Sequence, residues 1–224
     1  MEQGLKNEHT SFVLGSIRSG IIIFLLAASA CSPGPRLQPK LKPVLDQSFD
    51  AAQVAKGTTW ENVGAGIGLG IGFEAAQTFK VGISGILTSV DIQIFHGTNA
   101  QKNILFIISK TRDGKPSENA KDILARTVID LKNVNYATPA NYKVDLIKHC
   151  IAVHNGDVLA IILGNKDEIS GCGWQTADGD HYNRGKRFSR SFQAPEWTIA
   201  AGRKSGHDLG FNTYVAPHFS CRPK

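Results

Sequence analysis

The 224-residue sequence contains no complete catalytic signature. It has no G-x-S-x-G nucleophile elbow, no H-E-x-x-H metal motif, no P-loop and no G-x-G-x-x-G dinucleotide loop. Helix signals are scarce, and no short spacing of His, Cys or Asp offers the three or four ligands of a zinc site. These absences predict a binding or structural protein rather than an enzyme, without a metal cofactor. Ca²⁺ remains open, because Asp178, Asp180 and Asp208 occupy loops that could gather oxygen ligands.

Long apolar runs are also missing. Residues 21–28 follow Arg18 and form an apolar core about half as long as the ~20 residues of a membrane-spanning helix. With the small residues before Cys31, this core predicts a secretory signal over residues 1–30. The stretch Leu-Ala-Ala-Ser-Ala-Cys that ends at Cys31 resembles the lipobox of bacterial lipoproteins, except that Ala28 stands where Leu is usual. We expect a cell-envelope lipoprotein held in the membrane by an acylated Cys31, with a secreted or periplasmic protein as the alternative.

The segment after Cys31 is rich in proline and basic residues. Such a composition cannot form a packed core, so it predicts an extended tether over residues 31–50 and a β domain over residues 51–224. The formal net charge of +6 is spread along the chain. It would suit an anionic partner, but a solubility role explains it equally well, and an exported protein rarely meets nucleic acid.

Short apolar runs separated by turn residues at intervals of roughly 8–12 residues predict an all-β domain with its core between residues 73 and 215. Residues 103–109 and 158–163 are continuously apolar, so we expect two central strands with both faces covered. Residues 86–95 alternate between apolar and polar, which predicts one buried face. The expected fold is an antiparallel β-sandwich of the jelly-roll type with about eight strands.

The sequence patterns of other segments fit more than one structure. Residues 117–131 fit a helix or a strand, and the strand reading, from 125 to 131, is favoured. The glycine-rich residues 64–72 have a period of two and suit a flexible strand or bulged edge, with a membrane-inserting glycine zipper as the alternative. The last strand is expected over residues 209–215. Asp113-Gly114 and Asn155-Gly156 predict tight turns.

Several phrases of the chain resemble a family of exported bacterial β-sandwiches. That family comprises galactose-binding-like jelly rolls of surface proteins with varied anchors, the PEP-CTERM or choice-of-anchor type. The matching phrases are Ala76-Gln77-Thr78-Phe79, Gly85-Ile86-Leu87-Thr88-Ser89-Val90-Asp91, Asp113-Gly114-Lys115-Pro116-Ser117, Gly156-Asp157-Val158-Leu159-Ala160-Ile161, Gly173-Trp174 and Asp208-Leu209-Gly210-Phe211. The resemblance implies a non-catalytic module. The chain departs from the family in having Cys172 where an aromatic residue is common, and in ending without a sorting tail, which leaves Cys31 as the visible anchor.

The chain has four cysteines. Export favours disulfides, and acylation of Cys31 would leave three cysteines for one bridge and one free thiol. Cys150 with Cys172 is the first choice, because the two flank the strand expected at 158–163, and Cys172 with Cys221 is the second. A Cys-His nucleophile built on Cys150 or Cys172 is a remote alternative.

The longest stretch without a strong strand signal lies between residues 164 and 207. Loops at the end of a sandwich often carry recognition, and aromatic rings can stack on sugars while polar neighbours bind the hydroxyls. The sequence therefore predicts a carbohydrate site at a rim formed by Trp174, Asp178, Asp180, Tyr182 and Arg184. Core packing is the competing role for the rings, and their burial would favour a passive structural or adhesion protein. A hydrolase acting on envelope polysaccharide is the distant alternative.

Overall fold

The computed structural model describes residues 42–54, 59–65, 72–96, 103–164, 171–191, 193–199, 207–218 and 221. These residues belong to one compact unit, Pro39–Lys224. The unit is an all-β, antiparallel sandwich, which confirms the predicted fold class. Its strands are β1 (Val44–Phe49), β2 (Thr59–Ala65), β3 (Gly72–Lys80), β4 (Gly85–His96), β5 (Ile104–Arg112), β6 (Lys115–Pro116), β7 (Ile123–Ile129), β8 (Ala140–Asp145), β9 (Ile151–Val153), β10 (Val158–Gly164), β11 (Gly171–Asp178), β12 (Arg187–Ser191), β13 (Ala194–Thr198), β14 (His207–Leu209) and β15 (Phe211–Ala216).

Two layers of strands enclose the main core. The first layer runs from β1 through β15 and β4 to β8 and β9, and the second runs from β13 through β12, β3, β10 and β5 to β7. Strands β11 and β2 link the layers, because β11 pairs with β4 and β2 pairs with β3. Rings from the two layers meet in the core, where Phe79 and Phe211 lie 5.9 Å apart. Neighbouring strands are often distant in the chain, as they are in jelly rolls.

Local sequence patterns account for the central strands. β10 pairs with β3 and β5, and β5 pairs with β10 and β7, so neither strand lies at an edge. Their alternate side chains pack in the main core and in a second, smaller hydrophobic cluster, so both faces are covered as the continuous apolar runs predict. The alternation in β4 places Val90, Ile92 and Ile94 in the core. Asp113 and Gly114 both have positive φ and form the tight turn that joins β5 to β6.

Helical structure is limited to one short α-helix, α1 (Ala51–Val54), and three single 3₁₀ turns within the described residues. The ambiguous segment 117–131 contains the strand β7, which begins and ends two residues before the predicted 125–131. The 3₁₀ turns Ala120–Asp122 and Leu131–Asn133 flank it. Each turn is capped by an Asn or Asp side chain, which competes with a continuing strand for backbone hydrogen bonds.

The boundary predicted between tether and domain is wrong. Residues 31–50 were expected to be extended linker, but Val44–Phe49 form β1, which pairs with β15. The aromatic ring of Phe49 is buried and contacts Tyr182. Residues 44–49 contain too few apolar side chains to predict a strand by themselves. β1 forms because it pairs with β15.

The last predicted strand, 209–215, is broken in two at Gly210. β14 pairs with β11, whereas β15 pairs with β4, so the chain changes partner at this glycine. A Cβ atom at position 210 would collide with the side chain of Gln93. The described residues form 15 strands rather than the predicted eight or so, and this break accounts for one of the additional strands.

The predicted signal peptide, the lipobox with Cys31 and residues 66–71 of the glycine-rich run lie outside the described residues. Within the described part of the chain, the search for helices long and apolar enough to cross a membrane finds none.

Candidate functional site

The aromatic residues of the predicted rim belong to the core. Trp174 is 0% exposed, and its indole nitrogen donates a hydrogen bond to the carbonyl oxygen of Gly210 at 2.9 Å. Tyr182 is 7% exposed; its ring meets Phe211 edge-on and its hydroxyl donates to Oε1 of Gln47. The prediction that these two rings stack on a sugar is therefore wrong. Both rings fill the space between the layers, where no ligand ring can reach their faces.

The polar residues of that rim are exposed. Asp178, Asp180 and Arg184 lie at the surface, and Asp178 pairs with the Nδ1 atom of His207 at 2.8 Å. Among the described residues, no three His, Cys, Asp or Glu side chains lie close enough to hold a metal ion.

Asp208 is the buried carboxylate of this region, and its contacts have a structural role. It accepts hydrogen bonds from the backbone N–H groups of His181 and Tyr182 at 2.8 and 2.7 Å. Gln77 donates to its other oxygen. Burial raises the pKa of Asp208 even though these hydrogen bonds favour the charged form. The side chain therefore fixes the loop that carries Tyr182 to the body of the sandwich.

The predicted disulfide is also wrong, because Cys150 pairs with Cys221 and not with Cys172. Cys150 directly precedes β9, which pairs with Leu87 near the start of β4. Cys172 faces His96 at the other end of β4. Nine residues of strand separate these two positions on β4, which is roughly 30 Å at the rise of a β-strand.

Cys172 is a buried free thiol. Burial raises the pKa of this thiol to about 12, so the reactive thiolate is almost absent near neutral pH. Because Cys150 is oxidised, neither cysteine of the proposed Cys-His nucleophile is available for attack.

The exposed aromatic surface lies elsewhere, on β2 and the end of β4. Trp60 is 49% exposed, and its ring meets that of Phe95 edge-on at 5.5 Å. The register β2–β11–β4 places both residues on one face of the sheet, where Gln175 of β11 pairs with Trp60 and Gly173 pairs with Phe95. A Cβ atom at position 173 would collide with the ring of Phe95, so the glycine allows this ring to lie against the strand. We call Trp60 and Phe95 the aromatic platform.

Three amide side chains lie on the same face of the sheet as the aromatic platform. Asn62 is exposed and lies two residues from Trp60 on the same face of β2. Gln93 lies two residues from Phe95 and pairs with the exposed Asn141 on β8. The side-chain amide of Gln93 donates to Asp50, which fixes its orientation. The platform therefore combines an accessible indole with one exposed amide beside it, that of Asn62, whereas Asn141 lies on the far side of β11 and β4 from Trp60.

The sequence alone gave little indication of this platform. Residues 59–65 have no clear alternation and therefore do not predict a strand. The alternation of residues 86–95 indicates only that Phe95 lies at the end of a strand. The signal that could have drawn attention was a tryptophan directly before a glycine-rich stretch, where a large ring has few neighbours to cover it.

Comparison of the chain with protein-family models, with curated proteins and with solved structures finds no match, so the function rests on the geometry of the fold itself.

Proposed function

We propose that this chain is a non-catalytic β-sandwich module of the bacterial cell envelope that binds carbohydrate on the aromatic platform. The observation that supports the proposal is the half-exposed Trp60, which Phe95 holds from the side. A fixed indole offers an apolar face to the C–H groups of a sugar ring at a low cost in conformational entropy. The amide of Asn62, two residues along β2 on the same face, is suited to the hydroxyl groups of that sugar.

The proposed ligand surface differs from the predicted rim, since it uses neither Trp174 nor Tyr182. It keeps the expected ligand class but moves the site to the outer face of β2, β11 and β4. A half-exposed ring of this kind suits an extended glycan rather than an enclosed small molecule, because about half of the Trp60 surface is open to solvent.

A glycan array on the processed protein, with and without Ca²⁺, tests this proposal. We expect a hit whose affinity, measured by titration calorimetry, falls at least about tenfold in Trp60→Ala, as the loss of one stacking ring implies. Tyr136→Ala is the matched control, because Tyr136 is the other strongly exposed aromatic residue of the described chain and contacts His96 rather than Phe95. Equal losses in the two variants would contradict the platform as the binding site.

A passive structural or adhesion role is the second candidate. It is favoured by the burial of Trp174 and Tyr182, the two rings of the predicted carbohydrate rim. An array without hits, obtained with folded protein, would support this role over carbohydrate binding.

The export part of the proposal has its own test. We expect mass spectrometry of the chain produced in an exporting bacterium to show cleavage before Cys31 and an acylated Cys31, because the apolar core is short and followed by small residues. Cleavage before an unacylated Cys31 would indicate a secreted protein rather than a lipoprotein. A retained Met1 would contradict export.

A further inference from the structure

The second layer carries a second, smaller hydrophobic cluster on the face turned away from the main core, and Ile107, Ile162 and Trp197 belong to it. Ile107 pairs with Ile162 on one side and with Arg126 on the other, so these three side chains share that face. They line a groove of about 760 Å³. We call this cavity the outer groove and define it by Leu105, Ile107, Arg126, Ile162, Arg190 and Trp197.

One wall of the outer groove is a fixed charge cluster. Arg190 lies over the ring of Trp197 at 4.3 Å and forms ion pairs with Glu74 and Glu118. Glu74 is buried, and it lies against Gly164, where a Cβ atom would collide with it. Both carboxylates of this wall are thus already paired by one guanidinium group.

Two polar groups of the outer groove have no partner in the described part of the chain, and both are hydrogen-bond donors. Trp197 is 5% exposed, and its buried indole nitrogen has no hydrogen-bond partner among the described residues. The guanidinium of Arg126 is exposed and forms no ion pair or hydrogen bond among the described residues. A buried donor without a partner carries a free-energy cost that a ligand acceptor would remove.

We propose that the outer groove binds a small amphipathic anion, a molecule with an apolar body and a carboxylate or sulfonate group. Leu105, Ile107 and Ile162 would cover the apolar body. Arg126 would bind the anionic group, and the indole nitrogen of Trp197 would donate to an acceptor oxygen. The size agrees with that of small-molecule sites, which have volumes of about 300–1,000 Å³ and few polar groups on an apolar lining.

The outer groove is independent of carbohydrate binding. None of its lining residues belongs to the aromatic platform. The two sites would also take different ligands, because a sugar has no extended apolar body. Trp60→Ala is therefore expected to leave the outer groove unchanged.

Titration with 1-anilinonaphthalene-8-sulfonate, followed by fluorescence, tests the proposal on the folded, processed protein. We expect saturation at one probe per chain, and displacement of the probe by decanoate at a concentration at least tenfold lower than by decanol, which has the same chain length without the charge. Arg126→Gln is expected to weaken binding of the probe about tenfold, as loss of one charge-assisted bond implies. Lys143→Gln, which removes an exposed cation from β8 on the other layer, is the matched control and should change nothing.

Trp197→Phe removes the N–H donor together with part of the indole ring system, and it keeps an aromatic ring for packing against Arg190. We expect a further loss of decanoate affinity in this variant and an unchanged circular dichroism spectrum. Three results would overturn the proposal: no saturable binding, equal displacement by decanol and decanoate, or equal effects of Arg126→Gln and Lys143→Gln.

Discussion

Replacing Trp174 with alanine is expected to lower the free energy of unfolding by about 3–5 kcal/mol. The indole is fully buried between the layers, and its removal leaves a cavity that the surrounding strands can only partly fill. The hydrogen bond to Gly210 is lost as well, at the position where the chain passes from β14 to β15. Urea denaturation followed by far-ultraviolet circular dichroism measures the change.

Trp60→Ala is the matched control for this experiment, because it removes the same side chain from an exposed position. We expect it to cost less than about 1 kcal/mol, as is usual for surface positions. The pair also distinguishes the roles of the two tryptophans. Trp174→Ala should retain glycan binding at temperatures where it stays folded, whereas Trp60→Ala should lose binding and remain stable. The opposite pattern would restore the rim around Trp174 as the ligand site.

Removing the disulfide is expected to have an effect of similar size. Cys150 and Cys221 are 71 residues apart in the chain, so their bond closes a long loop and restricts the unfolded state. Chain-entropy arguments give a stabilisation of about 4 kcal/mol for a loop of this length. We expect Cys150→Ser and Cys221→Ser to lose this amount each, measured by urea denaturation without reductant.

Two further measurements make the disulfide prediction specific. Cys172→Ala removes a buried thiol without opening a loop and should cost far less than either serine variant. Iodoacetamide should label Cys172 only after unfolding, because the thiol is buried and its raised pKa keeps it protonated. A peptide map with a Cys150–Cys172 bond, or rapid labelling of Cys172 in the folded protein, would contradict the structure.

Local sequence patterns were sufficient where a strand is stabilised by its own side chains. The continuous apolar run of residues 158–163 predicted β10, because a strand with apolar side chains on both faces is stable only where both faces of the sheet are covered. Asp113-Gly114 predicted the turn between β5 and β6, since the two residues tolerate the positive φ values that the turn requires. These features depend on interactions between residues close in the chain.

The candidate sites could not be predicted in the same way. Trp60, Trp174 and Trp197 are the same residue type, yet one is half-exposed, one is enclosed in the main core and one lies beneath Arg190. Their exposure depends on which distant strands cover them. The disulfide could not be predicted either. Cys150 and Cys172 flank β10 in the sequence, but the fold places them at opposite ends of β4.

The amino-acid sequence by itself determined the all-β class, the central strands and the tight turns, because side-chain alternation and backbone preferences act over a few residues. Only the tertiary structure decided that β1 joins the sandwich, that the strand near the C-terminus breaks at Gly210, which cysteines are bonded and which aromatic rings face solvent. Each of these features depends on contacts between segments far apart in the chain. Such contacts are set by how the two layers pack, and the local sequence does not encode that packing.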